Sequence, residues 1–218
     1  MDKKKNPRES VDGPGTEEST GEQILEAARR LLARDGWSAL SINSVCKEAG
    51  VYRTAISYHY GNKDGMSEAI LEDIVHELSS RVAGSVSALP LGGERVSATI
   101  RGFDTLGGWE VQLAFLEVLT RLVREERYRS RLGRLYDDTA VIVAVTLGAY
   151  DEESRKQLEP VSRAILAFLD GIFIQQLVEP DRKFDREIDG FVEMVKPIVA
   201  RVLHYEDAPR EEASFAGR

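Results

Sequence analysis

Residues 52–63, YRTAISYHYGNK, concentrate side chains that donate hydrogen bonds to phosphate oxygens or to base edges. The stretch holds three tyrosines, one arginine, one histidine, one lysine and two small hydroxyl residues. Hydroxyl and guanidinium groups bind the DNA backbone, and an arginine such as Arg53 also pairs with a guanine edge in the major groove. A protein core does not need so many polar aromatic residues on one short helix. The pattern therefore predicts a surface that faces DNA.

Three helices must position this surface, and capping and stop residues predict where the first two lie. The first helix is predicted to start at Thr20, with Gln23 completing the cap, and to stop at Gly36. Ser41 is the predicted N-cap of a two-turn second helix. Gly50 supplies the turn after it, because glycine adopts positive φ without steric cost. The apolar face of the second helix repeats at helical spacing through Ile42, Val45, Cys46 and Ala49.

The third helix is predicted from Val51 to about Tyr60, and it has the two faces of a recognition helix. Val51, Ala55 and Ile56 are predicted to face the other two helices. A helix of this size fits the major groove, and Asn62 is predicted to cap a longer fourth helix. This order of elements is that of a helix-turn-helix. The residues predicted to point outward are Tyr52, Arg53, Thr54, Ser57 and Tyr58.

Composition and charge place this surface on an otherwise acidic protein of ordinary globular composition. The 218 residues are 42% hydrophobic and 30% charged, and the net charge is −8. Residues 20–63 carry six basic and four acidic side chains, whereas residues 64–218 carry a net charge of −9. Only the mildly basic N-terminal part is therefore expected to approach a polyanion. A single cysteine, no secretory signal and no apolar run of 18 residues predict a cytoplasmic protein.

The chain is predicted to be all-α, with two folded parts between polar ends. Residues 1–19 are predicted to be a disordered tail, and residues 206–218 a loose tail. Residues 20–65 form the predicted helix-turn-helix domain, and residues 66–205 form a C-terminal helical domain. The predicted helices beyond Pro90 span about 94–106, 109–126, 128–149, 152–178 and 184–204.

Residues 21–74 resemble the TetR family of bacterial transcriptional regulators. The segment ILEAARRLLARDGWSALSINSVCKEAGV is similar to the first two helices of that family. His59-Tyr60 matches the family's histidine–aromatic pair, and Asn62-Lys63-Asp64 matches the start of its fourth helix. The resemblance implies a DNA-binding regulator with a C-terminal regulatory and dimerisation domain.

The resemblance also implies roles for individual residues of the surface. Ser41 and Lys63 are implied to contact phosphates, and Arg53 and Thr54 to read bases or the nearby backbone. The family usually has tyrosine at the position of Ser57, so the operator sequence and the contact geometry are not implied. With the residues predicted to point outward, the full predicted DNA-binding set is Ser41, Tyr52, Arg53, Thr54, Ser57, Tyr58, His59 and Lys63.

Beyond about residue 85 the resemblance is one of architecture. AILAFLDGIFIQQLVEPD (164–181) and the amphipathic helix after it resemble the family's last two helices, which pair with a second subunit as a four-helix bundle. One recognition helix contacts few base pairs, which also favours a homodimer on a palindromic operator. The implied dimer residues are Ile165, Phe168, Leu169, Ile172, Phe173, Gln176, Phe191, Met194, Val195, Ile198 and Val202.

The resemblance further implies a pocket for an unidentified small-molecule effector between about residues 85 and 178, as in a repressor that a ligand releases from DNA. Aromatic side chains there are candidate ligand contacts, and the alternative is that they belong to the core. If Asp104, Glu110 or Glu117 turned inward, the pocket would favour a cationic ligand. The candidate contacts are Phe103, Trp109, Phe115, Tyr128, Tyr136 and Phe168.

Functions from other classes have weaker support in the sequence. A di-iron enzyme needs two carboxylate-x-x-histidine pairs, and only Asp73–His76 has that spacing. Cys46 has no second cysteine for a redox role, so we expect it to be a small core residue. We recognise no other catalytic or metal motif and expect no enzyme activity, metal or cofactor. A DNA-tethering module whose C-terminal domain binds a protein partner, instead of a small molecule, stays open.

Overall fold

The computed structural model describes residues 19–104 and 109–205, and every regular element in these ranges is an α-helix. The all-α prediction is therefore confirmed, and the predicted tails lie almost wholly outside the described residues. The helices of these two ranges are α1 Thr20–Ala39, α2 Ile42–Ala49, α3 Arg53–Tyr60, α4 Lys63–Val86, α5 Gly93–Asp104, α6 Trp109–Leu122, α7 Glu126–Leu147, α8 Glu152–Val178 and α9 Asp185–Leu203.

The first helix differs from its prediction at both ends. Ser19 Oγ accepts a hydrogen bond from the Glu22 backbone N–H at 3.3 Å, and Glu22 Oε2 accepts from the Ser19 N–H at 2.7 Å. This reciprocal pair is the capping box predicted for Thr20 and Gln23, placed one residue earlier. Gly36 has φ 72° and kinks the helix instead of ending it, because helical structure resumes after the kink.

The turn between α2 and α3 is as predicted. Ser41 Oγ accepts from the Ser44 N–H at 3.1 Å, and Ser44 Oγ accepts from the Ser41 N–H at 2.9 Å, which caps α2. Gly50 ends α2 with φ 68°, in the left-handed region that favours glycine. Helix α3 begins at Arg53, slightly later than predicted, after Tyr52 in extended backbone. The recognition helix is therefore shorter than predicted, and a longer non-helical segment separates it from α2.

Two hydrophobic cores stabilise the described chain, and the first one extends across the predicted domain boundary between residues 65 and 66. Ile24 of α1 and Ile56 of α3 are fully buried in this core. Val118 and Leu122 of α6 are buried in the same core. The helix-turn-helix is thus packed on α4 and α6 as well as on its own helices. We call this set the first core.

The second core joins α4, α5, α7, α8 and α9. Helix α8 is long and apolar enough to span a membrane by length and composition alone. Its Leu158, Ile165 and Ile172 are nevertheless buried among the other helices of this core. One face of α8 therefore belongs to the protein interior.

Candidate DNA-binding surface and ligand cavity

The outward face of α3 is exposed. Tyr52 and Tyr58 are 86% and 85% exposed, whereas Ile56 on the opposite face is fully buried. Ser41 is also exposed, with its hydroxyl engaged in the cap of α2. Helix α3 is therefore held by one face and open to a partner on the other. The further exposed residues of this surface are Arg53, Thr54, Ser57 and His59.

Tyr60 anchors the C-terminal end of α3 to α1. Its hydroxyl donates to the Gly21 carbonyl oxygen at 2.7 Å. Burial raises the pKa of this phenol. A Cβ at Gly21 would lie only 3.3 Å from Tyr60 Oη, so the missing side chain permits the close approach. We did not predict this positioning role, because the two partners are 39 residues apart in the chain.

Ion pairs engage all three arginines of α1. Arg30 and Arg34 both pair with Glu48 of α2, at 3.4 and 3.5 Å. Arg29 pairs with Glu26 of the same helix at 2.9 Å. These arginines therefore tie the helices of the domain together, and the basic charge that remains for a polyanion comes from other residues.

Arg53 and Lys47 supply such charge, since the structure records no ion pair for either of them within residues 19–104 and 109–205. Lys47 is exposed on α2, and we did not predict it from the sequence. Lys63 is half-buried at the start of α4, and this burial lowers its pKa. Asn62 caps α4 by accepting from the Gly65 N–H at 2.9 Å. Lys63 thus lies at a helix N-terminus, which attracts anions.

A cavity of about 80 Å³ lies between α4, α5, α6, α7 and α8. Its wall is mostly apolar, and its polar side chains are Tyr136, Thr139 and Asp170. Phe103, Phe115 and Tyr136 line it, which are three of the candidate ligand contacts. The apolar wall also includes Leu71, Val75, Leu78 and Phe173.

The other candidate ligand contacts lie elsewhere or are not described. Tyr128 is only 4% exposed and packs in the first core. Phe168 stacks on Phe191 with ring centroids 3.9 Å apart, and neither ring lines the cavity. Tyr128 and Phe168 therefore serve packing, which was the alternative left open for the candidate aromatic residues. The side chains outside the described residues are those of Asp104, Trp109 and Glu110.

The cavity contains a carboxylate that we did not predict from the sequence. Tyr136 Oη of α7 donates to Asp170 Oδ2 of α8 at 3.0 Å. Burial raises the pKa of Asp170, and the hydrogen bond from Tyr136 opposes that rise only in part. Burial, together with the neighbouring carboxylate, also raises the pKa of Tyr136. A signal did exist, because Asp170 is the only charged residue in AILAFLDGIFIQQLV (164–178).

The implied dimer residues separate into an exposed, a buried and a partly buried group. Met194 and Ile198 are exposed, and so are Ile174 and Val178, which we did not predict. We call these four residues the α8–α9 apolar surface. Those buried inside the protomer are Ile165, Leu169, Ile172, Phe173 and Val195. Those partly buried are Phe168, Gln176, Phe191 and Val202.

Relatives of known sequence share most of the chain. Residues 24–70 match the family described as "Bacterial regulatory proteins, tetR family". The HTH-type transcriptional regulator BetI of Vibrio parahaemolyticus serotype O3:K6 (strain RIMD 2210633) is 30% identical over 175 residues, covering 72% of this chain and 80% of that protein. BetI of Escherichia coli (strain SMS-3-5 / SECEC) is 24% identical over 158 residues, covering 70% of this chain and 80% of that protein.

Solved structures share the fold. A TetR-family transcriptional regulator from Rhodococcus sp. superposes with a TM-score of 0.65 at 21% identity, covering 83% of this chain and 98% of that one. The multidrug binding protein EbrR in complex with imidazole superposes with a TM-score of 0.57 at 23% identity, covering 85% of this chain and 96% of that one. The chain therefore belongs to the tetR family of bacterial regulatory proteins, and it is a DNA-binding transcriptional regulator.

Proposed function

We propose that this regulator is a cytoplasmic homodimeric repressor, which a small-molecule effector releases from a roughly palindromic operator. The observation that carries the proposal is the position of α4. This helix follows the recognition helix α3 and also forms part of the cavity wall. This helix starts directly after α3, and its Leu71, Val75 and Leu78 line the cavity. A helix rises by about 12 Å over the eight residues from Lys63 to Leu71. A ligand in the cavity would therefore touch the helix on which α3 depends.

A second contact between the two regions lies between α4 and α7. Arg131 Nη1 of α7 donates to Glu68 Oε2 of α4 at 2.6 Å. Glu68 is only 5% exposed, whereas the Arg131 side chain is 56% exposed, so this ion pair joins a buried carboxylate of α4 to a solvent-facing arginine of α7. Tyr136, on the same helix as Arg131, lines the cavity. A shift of α7 around a bound ligand would therefore also act on α4.

These contacts support release of DNA by a population shift. The free dimer would exchange between arrangements in which its two copies of α3 do or do not match successive major grooves. An effector that binds the mismatched arrangement more tightly would lower operator affinity by its differential affinity for the two. Helix α4 is the element whose position would differ between the arrangements.

The α8–α9 apolar surface supports the dimer. Ile174 and Val178 are 50% and 76% exposed, and Met194 is 63% exposed. Large apolar side chains exposed together on neighbouring helices are typical of a surface that another protein covers. A second copy of the chain would cover this surface and bring a second recognition helix to the same duplex.

The proposal is tested with the full chain in two steps. Selection of duplexes from a random-sequence pool should yield a palindromic site, which the protein binds as a dimer in sedimentation velocity. A screen of small molecules against that complex should then find compounds that raise the thermal unfolding temperature and also release the DNA. A protein that selects no sequence, or that stays monomeric on its selected duplex, contradicts the proposal.

The DNA-tethering alternative predicts a different result from the same screen. In that case no compound would weaken operator binding, and a defined protein would co-purify with the C-terminal helices. The α8–α9 apolar surface would then be covered by that protein instead of by a second copy of the chain.

A further inference from the structure

We propose that the effector is a small organic cation, and that Asp170 is its counter-charge in the cavity. The inference rests on the proposed function, because it assigns a ligand class to the cavity of the repressor. It is carried by the position of one carboxylate within an apolar, aromatic-lined space.

Among the residues that the structure describes, the side chains around the Asp170 carboxylate in the cavity are uncharged. Its hydrogen bond partner is the Tyr136 hydroxyl at 3.0 Å, and none of the described residues that line the cavity is an arginine, lysine or histidine. A carboxylate placed in an apolar space without a cation loses hydration that one phenol hydrogen bond does not replace. Tyr136 orients Asp170 and leaves its charge uncompensated, so a positive ligand would supply what the protein does not.

The aromatic wall suits the apolar part of such a ligand. Phe103, Phe115 and Phe173 line the same cavity as Asp170. Phe115 and Phe173 meet edge to face, with ring centroids 5.9 Å apart, so the two rings present differently oriented surfaces to the space. Aromatic faces attract alkylammonium groups, and this attraction grows when the cation is removed from water. The cavity thus combines one fixed negative charge with several aromatic side chains.

The ligands that the cavity offers do not suit a metal ion as the preferred occupant. Among the described residues, its wall provides one carboxylate instead of the several oxygen ligands that hard metal ions need. Its volume of about 80 Å³ is several times the roughly 10–15 Å³ that a single water requires on the same measure, so it admits more than one water. A compact organic cation with alkyl groups fits both the volume and the single charge.

The energetics favour charge pairing as the source of affinity. Burial raises the pKa of Asp170, so the folded protein disfavours the ionised carboxylate relative to the unfolded chain. A cation in the cavity would offset this cost, and a neutral ligand of equal size would not. Ligand charge should therefore change affinity more than ligand shape does.

The experiment compares tetramethylammonium with tert-butanol, a neutral compound of similar size, as ligands of the full-length protein. Thermal unfolding and calorimetric titration are measured for the wild type, Asp170→Asn and Tyr136→Phe. Sodium chloride at equal ionic strength is the control for unspecific salt effects. We expect tetramethylammonium to bind the wild type at least tenfold more tightly than tert-butanol does.

The two variants separate the charge from its orientation. Asp170→Asn keeps the size and the acceptor for Tyr136, and it should lose at least tenfold in affinity for tetramethylammonium without a change for tert-butanol. Tyr136→Phe keeps the charge and should lose less than Asp170→Asn. Equal affinity of the wild type and Asp170→Asn for the cation overturns the inference. So does the absence of any stabilisation of the wild type by the cation beyond that of sodium chloride.

Operator binding without any ligand is measured on the same samples. A protein that binds its operator and is released by a neutral compound, but not by a cation, overturns this inference and leaves the proposed function standing. Failure of the wild type to select any operator counts against the proposed function itself.

Discussion

The DNA-binding surface and the ligand cavity differ in how the chain builds them. The surface lies between Ser41 and Lys63, and local caps and one glycine turn position it. The cavity draws on five helices, and its polar pair, Tyr136 and Asp170, is 34 residues apart. A surface of the first kind should tolerate substitution with little effect on folding. A cavity of the second kind should couple ligand binding to the stability of the whole protein.

The largest expected effect comes from Leu71→Ala, because Leu71 links the core that supports the DNA-binding surface to the wall of the cavity. It is fully buried in the first core and also lines the cavity. We expect the substitution to lower the free energy of unfolding by about 2–5 kcal/mol, since it removes buried carbons and enlarges an existing space. Urea denaturation measures the loss. Val123→Ala, at a position 45% exposed, is the control and should cost no more than about 0.5 kcal/mol.

Arg53→Ala tests the surface without disturbing the cores. Arg53 is exposed, and we expect its loss to reduce discrimination between the selected operator and a scrambled duplex by about 1–3 kcal/mol. The thermal unfolding temperature should not change. Arg34→Ala is the matched control, because Arg34 is already paired with Asp35 and Glu48. A larger loss of discrimination in the control than in Arg53→Ala would contradict the assignment of α3 as the reading helix.

Lys63→Ala should lower DNA affinity by a smaller factor, which is the same for every duplex. If Lys63 contacts a phosphate, its removal lowers the slope of log affinity against log salt concentration by about 1 and leaves sequence preference unchanged. Binding to selected and scrambled duplexes is measured over a range of salt concentrations. Lys156→Ala, at an exposed position of α8, should leave the slope as it is. A changed sequence preference would instead place Lys63 near the bases.

Asp170→Asn should change the free energy of unfolding of the ligand-free protein least, but the direction of the change with pH can be predicted. Burial raises the pKa of Asp170, so the folded state binds this proton more tightly than the unfolded state does. Wild-type stability from this group is therefore lost as pH rises from about 4 through the folded pKa. The variant should be more stable than the wild type at neutral pH, and the difference should shrink in acid.

Asp151→Asn provides a control of opposite sign for that measurement. The hydrogen bonds from Ser154 lower the pKa of Asp151, so its contribution is present above the unfolded pKa and is lost as pH falls. Thermal unfolding of the wild type and both variants over the same pH range gives the stability difference of each variant from the wild type. If these two differences changed with pH in the same direction, the burial of Asp170 would be contradicted.

Local chemistry explains what could be predicted from the sequence. Ser41, Gly50 and Asn62 each act on backbone groups three or four residues away, so their roles followed from residue type and spacing. The cap of α1 was wrong by one residue, because Ser19–Glu22 and Thr20–Gln23 both satisfy the capping-box pattern.

Tertiary packing explains what could not be predicted. The contact of Tyr60 with Gly21 and that of Tyr136 with Asp170 join residues far apart in the chain. The apolar band of α8 covers more than one face, so its pattern did not separate the buried Ile172 from the exposed Ile174. Which face of α8 meets the core is decided by α7 and α9, whose positions no local pattern contains.

The first core limits how the helix-turn-helix domain of this regulator can be transferred to another ligand-binding domain. Val118 and Leu122 are buried in the same core as Ile24 and Ile56, so a fragment cut after residue 65 would lose part of the core to which the recognition helix belongs. A working chimera would have to carry α4 and α6 along with the N-terminal helices, or supply side chains of the same shape from its new host.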